Sequence, residues 1–422
     1  MGMKLNRSSQ LAIVAAASLL AATLVTACSQ LTQTLTVDFV YVLSAKAAGA
    51  NQYGEINVFE INSESGRMRQ IPTSPFPSAG RDPVAVAASA DFQNLFVVNQ
   101  DDNTLVQFVI GNDGKLYPFY TVNTPGIYPL AVAANKANVF VVNLYEPLPQ
   151  CSSAEPCPGS ISAFSISAGG SSSSAPCTAT ECLGPPAVNS AVNDTYWPLS
   201  LSGSKASDVI VPSAVNVLAS GAYVYVTAYD SSVTPNVGYI FGFAVGSGGV
   251  LTPLSGSPYA AGVEPSAIAS DASSAYLYAT DFLSGKVLGY SVASSGNLTP
   301  LSGSPFPAGN QPSGIVVDPS YPYTYVTNSL DATVTAYSMS SGNLSRIGDF
   351  ATGLDPIAIG IDPSTNHFLY TVNFLDNTVS GFDLTISDGT LLNSQFSPFS
   401  TNAQPTGVAA IPHNGTGGGI QQ

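Results

Sequence analysis

Histidine occurs twice in 422 residues, tryptophan once, and charged side chains make up only 9% of the chain. With His367 and His413 as the only imidazoles, histidine-based metal or acid–base chemistry has little to work with. Eleven Lys and Arg stand against 26 Asp and Glu, a formal net charge of -15. No basic cluster interrupts that balance, so the chain is a poor partner for nucleic acid or anionic lipid head groups. It contains no His-Glu-x-x-His, no Gly-x-Ser-x-Gly, no phosphate-binding Gly-Lys-Ser/Thr and no haem-attaching Cys-x-x-Cys-His. Helical periodicity is not evident beyond the N-terminus, and neither is a further apolar run long enough to span a bilayer.

What the chain has is a repeat. A short apolar segment follows each of Pro83, Pro129, Pro212, Pro265, Pro312, Pro356 and Pro405. Two more rows keep the same phase. One is an aromatic: Phe59, Phe108, Phe164, Phe243, Tyr290, Tyr337 and Phe382. The other is an alternating segment that often closes on a polar residue, as in Phe96-Val97-Val98-Asn99 and Tyr325-Val326-Thr327-Asn328. Alternation in Val, Tyr, Phe and Thr bounded by Gly, Pro and Asn reads as strand. A period in the forties with strand content is the signature of a β-propeller. The chain is therefore expected to be all-β: seven blades of four antiparallel strands, with the small post-proline segments innermost, where the sheets converge.

The first repeat element, Asp38-Phe39-Val40-Tyr41-Val42, is a second strand, and the last, Pro405-Thr406-Gly407-Val408-Ala409, is a first strand. Pairing them closes the ring and removes the exposed edges. The expected layout is a signal segment at 1–27, a linker at 28–37, one propeller domain at 38–412 with an insertion in blade 3 at about 144–196, and a loose tail at 413–422.

Lys4 and Arg7 precede an apolar run from Leu11, followed by Val25-Thr26-Ala27-Cys28. This reads as an export signal and resembles the bacterial lipobox, in which the cysteine receives lipid and becomes the first residue. Ser29, rather than Asp, resembles the signal for sorting to the outer membrane. The expectation is a lipid-anchored envelope protein, monomeric, held to the membrane through Cys28. Cys151, Cys157, Cys177 and Cys182 all fall in the third unit, where an exported chain forms disulfides. The first two lie between the second and third strands. The last two lie between the third strand and an outer strand near Pro198-Leu199. Those loops emerge on opposite faces, which predicts the local pairs Cys151–Cys157 and Cys177–Cys182. Their spacing does not suit zinc.

The Tyr-Val-Thr-Asn strands, the Leu-Thr-Pro-Leu-Ser-Gly-Ser-Pro-Phe-Pro-Ala-Gly turn at 298–309 and Gly314-Ile315-Val316-Val317-Asp318-Pro319 resemble the seven-bladed lactonase-type propellers. That family includes 6-phosphogluconolactonase-like proteins and grades into Tyr-Val-Thr-Asn repeat proteins of microbial surfaces. The resemblance covers residues 38 to 412 and implies the fold. It also implies His, Glu and Arg side chains in a central cleft, a set that cannot be placed here. His367 falls in a turn on the face opposite the expected mouth and His413 in the tail. Arg67, Arg69 and Arg346 fall near outer strands.

What converges on the mouth is the residue before each repeated proline. Arg81, Asp82, Glu264, Gln311, Asp355 and Gln404 are the ligand-binding candidates, the carboxylates being able to hold a divalent cation, act as a base or bind a polyhydroxylated ligand. Two functions follow. One is an envelope lipoprotein that binds a partner protein, glycan or small ligand at the channel mouth. The other is an exported hydrolase of a neutral lactone.

Overall fold

A computed structural model describes residues 36–45, 52–152, 154–168, 181–201, 203, 209–363 and 368–412. The signal segment, Cys28, Cys177, His367 and His413 lie outside them. The seven repeats form seven antiparallel sheets. In blade 6, for example, Pro312–Val317, Tyr323–Asn328, Thr333–Ser340 and Asn343–Ala351 follow one another from the axis outward. Closure is as expected. Pro405–Pro412 is innermost in the sheet of Thr36–Ser44, Glu55–Asn62 and Met68–Gln70, with Asp38 opposite Pro412 and Ser44 opposite Pro405. It also touches the inner strands of blades 7 and 2, so every inner strand has two neighbours around the axis.

Outer strands differ from the expectation. In blades 1, 3, 4, 5 and 7 the outer position is split, and a two-residue piece pairs with the other end of the third strand. In blade 5, Leu298–Pro300 and Phe306–Pro307 both pair with Lys286–Val292. The turn between them leaves a third-strand amide without a ladder partner, and a serine hydroxyl accepts from it. Gly289 N–H donates to Ser304 Oγ at 2.9 Å, Gly242 to Ser257 at 2.9 Å, Gly381 to Ser397 at 3.0 Å and Val58 to Ser74 at 2.8 Å. The serine of each Ser-Pro turn is thereby explained, since an orphaned buried N–H costs about 1–3 kcal/mol. In blade 3 the outer strand is Glu181–Pro186, and Trp197–Pro198 is the short second piece. Cys182 therefore sits within the outer strand rather than before it.

The core is divided into seven apolar clusters, each between two neighbouring blades. A repeated tyrosine fixes their polar edge. Tyr41, Tyr225, Tyr278 and Tyr325 are fully buried, and each hydroxyl donates to a glycine carbonyl in the next blade: Gly114, Gly296, Gly342 and Gly389, at 2.6 to 3.2 Å. Glycine is required there twice over. Each has φ between 75° and 81°, and a Cβ would press into the ring of Phe39, Tyr223, Tyr276 or Tyr323.

Candidate functional site at the channel mouth

Each inner strand pairs with the end of its own second strand at the repeated proline, and the residue after each proline is a bulge. The register slips between Pro83 and Ala85, Pro265 and Ala267, Pro312 and Gly314, and likewise in the other four blades. Bulges re-aim side chains. Here the bulged residues are Val84, Leu130, Ser213, Ser266, Ser313, Ile357 and Thr406. The four hydroxyls donate across the blade gap: Ser213 Oγ to Pro265 O, Ser266 to Pro312 O, Ser313 to Pro356 O and Thr406 Oγ1 to Pro83 O, at 2.5 to 2.6 Å. The mouth is thus stitched from blade to blade at the proline carbonyls. The signal was the Pro-Ser/Thr dipeptide recurring at 212, 265, 312 and 405, which sequence reasoning missed.

In five of the seven blades the residue before the proline is held by a second repeated bond. Its carbonyl accepts from the loop that follows the second strand: Gln100 N–H to Asp82 O, Phe282 to Glu264, Ser329 to Gln311, Phe374 to Asp355 and Ala45 to Gln404, at 2.8 to 2.9 Å. Asp82, Gln311, Asp355 and Gln404 adopt φ of 54° to 55°, as does Tyr128 at 56°. This left-handed conformation is uncommon outside glycine, yet it recurs at this repeat position in five of the seven blades. Glu264 is not among the positive-φ residues. In blades 3 and 4 the inner strands start earlier, at Ile127 and Ile210, so Tyr128 and Val211 are paired strand residues rather than loop ends.

The candidates therefore occupy equivalent places around one opening, but their environments differ. Asp82 is held above the ordinary carboxylate range by burial first and then by Asp101. Burial does the same to Asp355. Glu264 Oε2 accepts from Asn236 Nδ2 at 3.2 Å, so the 231–236 turn between the second and third strands of blade 4 reaches this carboxylate, a shorter connection than the sequence suggests because 229–230 and 237–238 are paired. Arg81 does not stand free. Its guanidinium donates to Asp102 Oδ1 at 2.7 Å and to the Asp101 carbonyl at 3.2 Å, and its N–H to Asp102 Oδ2 at 2.8 Å. Burial pushes the Asp102 carboxyl up, but these donors and the Arg81 charge outweigh it and hold the group below its usual range. Arg69 pairs with Glu60 and Arg346 with Asp349, both away from the mouth.

The Asx residues of the rim bond across loops as well as within their own turns, where Asn99, Asn328 and Asn373 donate to Thr104, Thr333 and Thr378 and Asp281 accepts from Ser284. Asp281 accepts from Val263 and Glu264 N–H, Asn328 from Gly309, Asp331 from Asn310, Asp376 from Leu354 and Asn377 from Gln404. They fix the approach to each mouth residue. Cys151 and Cys157 are joined in one rim loop. Cys182 is also disulfide-bonded, with a partner outside the described residues. Trp197 is buried at 4% exposure in the core between blades 3 and 4. It also lines a cavity of about 440 Å³ with Phe241, Phe243 and Pro253.

No protein-family model matches the chain, and no curated protein does. Solved structures do. A "putative 6-phosphogluconolactonase" from Bacteroides fragilis superposes with a TM-score of 0.67 at 18% identity, over 89% of this chain and 98% of its own. The periplasmic gluconolactonase of Pseudomonas aeruginosa gives 0.65 at 16% identity, over 88% and 99%. A protein from Lactobacillus plantarum gives 0.63 at 16%, over 89% and 99%. The chain has the seven-bladed fold of the lactonase-type propellers that its repeats resemble.

Proposed function

We propose that this chain is a lipid-anchored cell-envelope protein whose propeller binds a partner protein, glycan or small ligand at the channel mouth. The observation that carries this reading is the repeated placement of Asp82, Glu264 and Asp355 at the bulged ends of inner strands, two of them with carboxyls raised by burial. A carboxylate that burial disfavours is relieved by a bound cation, a proton or a cationic ligand. Envelope location draws support from the lipobox ending at Cys28 and from the likeness to a periplasmic protein.

Hydrolysis of a neutral lactone is the second reading. It is favoured by the names of the similar structures and by the raised Asp82 carboxyl, a suitable base for activating water. Against it, the one arginine at the mouth is already held by Asp102, and phosphorylated lactones would need more than one basic residue.

The test is a thermal-shift screen of the mature chain against divalent cations, neutral sugars and lysine-containing peptides. The variant Asp82→Asn with Glu264→Gln serves as the comparison. A probe at one hundred times its Kd stabilises the native state by about 2.7 kcal/mol. At least one probe class should raise the wild-type midpoint and leave the variant unmoved. Equal shifts in both proteins, or none in either, would overturn the mouth as the site.

A further inference from the structure

Four rim turns share one geometry. Asn99 pairs with Thr104, Asp281 with Lys286, Asn328 with Thr333 and Asn373 with Thr378, and each turn has a left-handed residue just before its last position: Asn103, Gly285, Ala332 and Asn377. Their third positions are Asp101, Leu283, Leu330 and Leu375. The leucines are 57%, 66% and 64% exposed, and Leu354, whose N–H donates to Asp376 of the last turn, is 55% exposed. Asp101 shows that the turn itself does not need leucine. Single exposed apolar residues are ordinary on a protein surface, but one recurring on three consecutive blades forms an apolar arc.

The arc is bound to the mouth. The residue before each leucine donates its N–H to a pre-proline carbonyl, through Phe282 to Glu264, Ser329 to Gln311 and Phe374 to Asp355. In two of the three turns an acidic group stands directly after the leucine. Asp331 and Asp376 follow Leu330 and Leu375 directly, and their partners given above are neutral N–H donors, so their charge is not cancelled. Among the described residues of these three turns the only cation is Lys286.

We infer that the rim of blades 5 to 7 is a docking surface for an extended polypeptide segment that presents basic and aliphatic side chains in turn along one face. Charge complementarity sets the basic groups. The leucine arc sets the apolar ones. An extended strand suits this, because every second side chain faces the same side and can carry the basic and aliphatic groups in turn along the three blades. This rests on the mouth as a binding site and names its partner.

The probe is a short synthetic peptide with lysine and leucine taking turns at every second position and serine between them, followed by fluorescence anisotropy with the mature chain at physiological salt. Saturable binding is expected, weakened at least about tenfold by Leu330→Asp with Leu375→Asp, a loss typical of interface hot spots. Aspartate at this position is already accommodated in blade 2, and circular dichroism should confirm an unchanged fold. Leu392→Asp, on the outer strand of blade 7 where the leucine is 62% exposed, should leave binding unchanged. A lysine–serine peptide and a glutamate–leucine peptide should each bind at least about tenfold more weakly. No saturable binding, or equal binding by the double leucine variant or by the lysine–serine peptide, would overturn the inference. Binding lost in Asp82→Asn/Glu264→Gln but kept in the leucine variant would leave the mouth as a site and remove the arc. Leucine-dependent binding to phosphatidylcholine vesicles would make the arc a lipid contact and overturn the polypeptide.

Discussion

Where the ring closes, between blades 7 and 1, the tyrosine pattern breaks, and replacing Asp38 there should stabilise the protein. Tyr370 occupies the place of Tyr41, Tyr225, Tyr278 and Tyr325, but its buried hydroxyl finds no carbonyl in blade 1. Burial first, then Asp38, Asp362 and Asp383, hold it well above the ordinary phenol range. Asp38 is fully buried, and among the described residues its oxygens meet no fixed N–H or O–H donor. Two carboxylates can share a hydrogen bond only when one carries a proton. Burial, then the charge of Asp362, then that shared bond raise the Asp38 carboxyl far above its usual value. Because the folded value is raised, the stability that protonated Asp38 contributes is full below the ordinary carboxylate pKa and is lost as pH rises towards the folded one. The slope over that window is about 1.4 kcal/mol per pH unit for one proton. Asp38→Asn removes this titration and offers Asp362 an amide donor. Urea unfolding of the mature chain from acid to neutral pH should show a flatter slope for the variant and a higher midpoint at neutral pH. A variant with the wild-type pH slope, or one less stable at neutral pH, would refute a shared proton at the seam.

Three further outcomes are expected. Deleting residues from Pro405 onward removes the inner partner of Thr36–Ser44 and buried Ile411, so the chain should lose cooperative unfolding in calorimetry rather than merely soften at one end. Ser304→Ala strands the Gly289 N–H and should cost about 1–3 kcal/mol by urea titration. Ser291→Ala, whose hydroxyl only meets an exposed carbonyl, should cost far less. Mass spectrometry of the exported protein should find the mature N-terminus at a lipid-modified Cys28. Non-reduced peptide maps should show Cys151–Cys157 and Cys177–Cys182.

The architecture was legible because it is written seven times. Proline spacing, the aromatic row and the Tyr-Val-Thr-Asn strands each carry the period, and the missing first strand of unit one forces the C-terminal closure. The split outer strands were not legible, because a two-residue pairing such as Phe306–Pro307 with Lys286 and Val287 has no periodicity to read. The mouth was half legible. Its pre-proline residues could be named from the repeat, whereas the engagement of Arg81 by Asp102 is a contact across a loop that spacing does not encode. Asp38 and Asp362 stand 324 positions apart and meet only across the seam, so nothing local in either segment marks them. The leucines of the rim turns carry no signal one at a time, because a single exposed leucine beside turn-forming Asx residues is ordinary and only its recurrence at one turn position sets it apart.

Binder and hydrolase are separated most directly by turnover. Purified mature protein incubated with a panel of neutral five- and six-membered lactones should open none of them faster than buffer. Turnover above buffer that disappears in Asp82→Asn with Glu264→Gln would contradict the binding account and make the acidic mouth a catalytic site.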